Sequence, residues 1–222
     1  MKARRKAAQK PANAAARRGV VRAASYHHGD LHDALLKAAE AVLERDGVQG
    51  LTLRAAAREA GVSHAAPTHH FGDMTGLLSE LAALGFRRFG AALREAASRQ
   101  GSAHARLDAM GMAYVSFART YPDLFMLMFR SERLDFDRPA LKEAMLESNT
   151  ALAGGVGAHR GEAVRPGDLT LSQAAEMVRA WSLVHGFAVL LLDHRLDRFL
   201  DLVPDGKPDG LLQAVLAGPP RG

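Results

Sequence analysis

The chain has 222 residues, 48% of them hydrophobic and 24% charged, enough for one small module and one larger one. Cysteine is absent, which excludes a disulfide framework, thiolate metal sites and a cysteine nucleophile, and fits a reducing cytoplasm. The net charge of +5 is uneven: Lys2, Arg4, Arg5, Lys6, Lys10, Arg17, Arg18 and Arg22 precede the first acid, Asp30, and leave the remainder at about −3.

Residues 1 to about 25 mix those basic residues with alanines, Pro11, Asn13 and Gly19 and carry no sustained apolar stripe, so they read as a flexible basic arm. No apolar stretch follows the opening basic residues, and nothing there reads as a secretory signal. Such an arm is either a solvated tail or a segment that orders on DNA.

Beyond the arm, the apolar fraction is mostly Ala and Leu with few aromatic and β-branched residues, which favours an all-α fold. From Asp30, the positions Leu31, Leu35, Ala38 and Val42 recur at helical spacing until Gly47, which predicts a first helix capped by that glycine. Thr52 is placed to cap a short second helix through Ala60. Gly61 supplies a left-handed turn, and Ser63 is placed to cap a third helix running to about His70. Asp73 then caps a fourth helix with Leu77, Leu78, Leu81, Ala82 and Gly85 on one side and Arg87, Arg88 and Arg94 elsewhere. Four or five further helices are expected between Ala103 and Leu216, broken at Pro122, Pro139, the Gly154–Gly167 stretch and Pro204–Pro208. The glycine-rich Gly154–Gly161 segment misses the dinucleotide fingerprint and reads as a loop. The uncharged apolar run Ala180–Leu192 is shorter than the ~20 residues a bilayer requires and reads as a buried helix.

Thr52 to Phe71 has the make-up of a helix-turn-helix. Ala56 and Ala60 let two helices approach closely, Gly61 turns the chain and Val62 plugs the angle between them. Ser63, His64, Ala65, Thr68, His69 and His70 then fall at the start and one side of the third helix, where a recognition helix meets base edges and phosphates. Thr52 and Ser63 also sit where helix N-termini offer N–H groups to phosphate.

Together, Tyr26-His27-His28-Gly29-Asp30-Leu31, the Thr52–Phe71 unit and Gly72-Asp73-Met74-Thr75-Gly76-Leu77-Leu78 resemble the DNA-binding domain of TetR/AcrR-type regulators in order and spacing. Downstream, Ala180-Trp181-Ser182-Leu183-Val184-His185-Gly186-Phe187 resembles the Trp, His-Gly signature of one class of C-terminal domain in that family. The resemblance implies a DNA-binding domain over residues 26–72. It also implies a helical regulatory, ligand-binding and dimerisation domain over 73–222, pairing through its last two long helices. Two positions depart from the family pattern. Thr68 stands where a tyrosine is usual ahead of the His-Phe pair, and Met74 where a lysine usually opens the fourth helix. Arg17, Arg18 and Arg22 of the arm are then expected to compensate by entering the minor groove.

Tyr114, Phe117, Phe125, Phe129, Trp181 and His185 provide aromatic and polar groups at helical spacings in the regulatory region. They read either as core or as the lining of an apolar cavity with polar anchors. Gly186, mid-helix, costs about 1 kcal/mol relative to Ala, so close approach of another helix, within the subunit or across a dimer, is its expected reason. His28 and His32 have a chelating spacing, but no cysteine or carboxylate completes a set, so no metal and no cofactor are expected. No nucleophile beside a base, carboxylate pair or phosphate loop appears, which argues against an enzyme.

The expected function is a cytoplasmic homodimeric repressor, released from a pseudo-palindromic operator by a small, largely apolar effector and engaging no membrane. The alternative is a helical dimer that binds a small molecule or a partner and has lost specific DNA recognition.

Overall fold

The computed structural model describes residues 28–130 and 132–218. The arm, with Arg17, Arg18 and Arg22, lies outside them. Among the described residues all regular structure is helical apart from one isolated bridge between Arg165 and Asp168.

The first helix, α1 (His28–Gly50), buries Leu35, Leu36, Ala39, Val42 and Leu43. It is interrupted at Gly47, whose φ of +68° is the left-handed geometry foreseen for its end. Two short helices follow, α2 (Leu53–Glu59) and α3 (Ala66–Phe71), and lead into the long α4 (Met74–Ser98). The Asp73 carboxylate caps α4 by accepting from the Gly76 N–H at 2.8 Å. Leu77, Leu78, Leu81, Phe86, Phe89 and Leu93 make α4 the spine of the molecule. It packs on α1 and α3 at its start and, further along, on α5 (Ala103–Thr120), α6 (Pro122–Arg130) and α7 (Pro139–Arg160). Then come α8 (Leu171–Leu192), the short α9 (Asp197–Asp201) and α10 (Pro208–Ala217), which returns to α5.

The region beyond Ala103 therefore holds six helices rather than four or five, the five-residue α9 being the easiest to overlook. The breaks at Pro122 and Pro139 fall where expected, because proline tolerates the first helical turn and not the interior.

Three local readings are corrected. Ser63 does not cap α3: the helix begins at Ala66 with Pro67 in its first turn and has no side-chain cap, while the Ser63 carbonyl accepts from Ala66 N at 3.1 Å in a preceding turn. Gly154–Gly161 is not a loop but the last turns of α7, which ends only at Gly161. Two of these glycines serve packing: a Cβ on Gly155 would collide with Met110 Sδ, and one on Gly157 would lie 2.6 Å from the Glu162 carbonyl oxygen. The apolar run after Ala180 is not a buried helix. By length and composition α8 could cross a bilayer, and only 17% of its most apolar window is buried. Val184, Phe187 and Ala188 face inward, while Leu171, Val178, Trp181, Leu183 and Leu190 are exposed.

Candidate nucleic-acid interface and regulatory cavity

The first site is built from α2, α3 and the turn between them. Thr52 caps α2, its Oγ1 accepting from the Ala55 N–H at 3.0 Å, and Ala55, Ala56 and Ala57 are buried against α1. Gly61 at φ +67° reverses the chain, and Val62 N donates to the Ala57 carbonyl at 3.0 Å, closing the turn. Pro67 and Phe71 anchor α3 from its buried side. With those two turned inward, Ser63, His64, Ala65, Thr68 and His69 are exposed with Thr52.

His70 differs from the rest of that set. It is half-buried, and its ring lies 6.0 Å from that of His32 on α1 and 5.6 Å from that of His69. His32 in turn lies 5.0 Å from the Phe71 ring, so His70 also serves the α1–α3 contact. Met74 packs against the core instead of carrying a charge outward. Arg54 on α2, exposed near Thr52, was not singled out in the sequence, although a cation two residues after a helix cap is a readable phosphate-contact signal.

The second site lies in the C-terminal helices. The structure brings Tyr114, Phe117, Phe125, Phe129, Trp181 and His185 into one aromatic cluster with Phe86 and Phe89 of α4. Tyr114 is its polar centre: the Trp181 Nε1–H donates to Oη at 3.1 Å, and Oη shares a 2.8 Å hydrogen bond with His185 Nδ1. Burial pushes the Tyr114 hydroxyl well above the usual tyrosine range, against a small opposing effect of the Trp181 bond, so it stays neutral.

A cavity of about 210 Å³ adjoins this cluster between α5, α7, α8 and α10, with the end of α4. Of the six residues singled out in the sequence only Tyr114 lines it. The other walls are apolar, from Leu93, Leu107, Met110, Leu152, Val184 and Leu216, while His104, Asp108, His159, Glu176 and Arg179 stand at the more exposed side. These polar groups come from three helices far apart in sequence, with no local motif to announce them. No group of three or more His, Asp or Glu able to hold a metal occurs among the described residues.

Known proteins supply independent comparisons. Residues 35–81 match the pattern of bacterial regulatory proteins of the tetR family, and residues 107–216 match the tetracyclin repressor-like C-terminal domain. A solved protein of unknown function from Rhodococcus sp. RHA1 is 36% identical and superposes with a TM-score of 0.67, covering 88% of this chain and 98% of that one. The TetR family transcriptional regulator PfmR from Thermus thermophilus is 18% identical with a TM-score of 0.54, covering 84% of this chain and 99% of its own. A TetR family transcription regulator from Marinobacter aquaeolei VT8 is 14% identical with a TM-score of 0.53, covering 84% of this chain and 92% of that one. No curated protein sequence matches the chain significantly.

Proposed function

Since this chain belongs to the TetR family of DNA-binding transcription regulators, we propose that it is a homodimeric repressor released from its operator by a small, largely apolar effector. In this reading residues 1–25 are a DNA-contacting arm, 26–72 the DNA-binding domain and 73–222 the regulatory, ligand-binding and dimerisation domain, and the protein works in the cytoplasm. The observation that supports it is the exposure of Thr52, Ser63, His64, Thr68 and His69 in and beside the helix-turn-helix, whose Pro67 and Phe71 are buried.

Two subunits would place their α3 helices in successive major grooves about one helical turn apart. The exposed Leu171, Val178, Trp181, Leu183 and Leu190 of α8 support pairing there, because apolar side chains left uncovered on one helix mark an interaction site. Effector binding in the C-terminal domain would favour a tilted α4 and mis-spaced α3 helices. By reciprocity, operator DNA must then weaken effector binding by the same factor.

The test is the specificity ratio of full-length protein at about 150 mM salt. A repressor prefers its operator at least about a thousandfold over random DNA, and deleting residues 1–24 should lower both affinity and salt slope. A ratio near one would favour a ligand-binding dimer that has lost DNA reading, in line with the core-packed Met74.

A further inference from the structure

We propose that the cavity beside Tyr114 accepts a compact organic cation, an amine carried on an apolar body, rather than a neutral or anionic molecule. This rests on the cavity being the effector site, and names the chemistry that site selects.

The volume of about 210 Å³ is below the roughly 300–1,000 Å³ of pockets for drug-sized ligands, so the occupant is small. Its inner end holds no charge. Tyr114, the one polar group buried there, is neutral and already hydrogen-bonded to Trp181 and His185. An apolar body therefore goes inward and a polar head stays at the mouth.

The mouth sets the sign of that head. Asp108 on α5 and Glu176 on α8 bring two carboxylates, and Arg179 brings the one guanidinium. Arg179 Nη1 donates to Glu176 Oε2 at 2.6 Å, one turn along the same helix, so its charge is taken. Asp108 has His104 Nε2 at 3.3 Å on the same helix, so that imidazole is already engaged by the carboxylate and is not free for an incoming anion. The His104 ring also lies against His159 of α7, with ring centroids 5.6 Å apart. An anionic head would meet Asp108 with no free cation to offset it. An ammonium would meet a carboxylate beside apolar walls, where the attraction is stronger than in bulk water.

The test is a ligand-observed NMR titration of the full-length protein at pH 7.5 with n-hexylamine, n-hexanol and n-hexanoate, which share one apolar chain. The amine should bind at least about tenfold tighter than either of the others. D108N combined with E176Q should bring it down to the level of the alcohol, while hexanol binding stays within about twofold and so reports an intact cavity. Tighter binding of hexanoate, an unchanged amine preference in the double variant, or no binding of any of the three would overturn the proposal. No DNA is present in these titrations. Failure here leaves the operator reading standing, and failure to find an operator leaves these affinities as they are.

Discussion

Arg88 on α4 grips the Glu40 carboxylate on α1 with both terminal nitrogens, the Nη2–Oε2 bond being 2.9 Å, and lies 5.8 Å from the centroid of the Tyr121 ring. Glu40 is 8% exposed, and its hydrogen bond holds the Arg88 guanidinium above even the usual arginine range, against desolvation. One side chain thereby ties the helix beneath the DNA-binding unit to the point where α5 passes into α6. Arg88→Ala leaves a nearly buried carboxylate unpaired and should cost about 2 kcal/mol, after allowing for the partial exposure of the arginine. Denaturant melts measure that loss. If α4 carries the effector signal, the variant should also release DNA less completely at saturating effector.

The glycines near the end of α7 should respond in opposite directions. A methyl on Gly154 meets nothing within 4 Å, so Gly154→Ala should stabilise by about 0.5–1 kcal/mol through the unfolded chain. On Gly157 the same methyl runs into the backbone of Glu162 and Val164, and Gly157→Ala should destabilise by about 1–3 kcal/mol. Thermal melts of the two variants decide it, and a shared direction would contradict the packing role.

This contrast marks what could be read from the sequence. The Thr52 and Asp73 caps and the turns at Gly47 and Gly61 depend on residues within a few positions, so composition and spacing located them. Ser63 failed as a cap because Pro67 moved the helix start onward. Gly154–Gly161 failed as a loop partly because Gly155 answers to Met110, more than forty residues earlier. The six aromatic residues do come together, but the cavity beside them is bounded by Asp108, His159 and Glu176, whose proximity only the packing of α5, α7 and α8 creates. The uncharged apolar run of α8 likewise gives no hint that its apolar residues divide between the core and the outer surface.

Tyr114 gives a pH signature. Because burial raises its hydroxyl above the ordinary tyrosine value, its contribution is complete below about pH 10 and is lost as pH climbs and the unfolded chain ionises first. Tyr114→Phe should cost about 1 kcal/mol at neutral pH from the Trp181 and His185 bonds. Its stability should then fall less steeply than that of the parent above pH 10. Parallel curves in urea melts at several alkaline pH values would contradict the buried, neutral hydroxyl.

Gly186 tests pairing through α8. Within one chain a Cβ there meets nothing within 4 Å, so the close approach expected at this glycine has no source inside the subunit. It lies one turn from Leu183 and Leu190 on the outward face. Gly186→Leu should leave the subunit folded and convert a dimer to a monomer in sedimentation velocity. A variant that remains dimeric and melts higher would place the interface elsewhere.

Whether the chain reads operator DNA is decided by selecting bound duplexes from a random DNA pool at about 150 mM salt, with the oligomeric state of the full-length protein measured alongside. A two-fold-symmetric site whose half-sites lie about 10 base pairs apart, or a multiple of that spacing, should be enriched. An intact dimer that enriches no sequence would contradict the proposed repressor function.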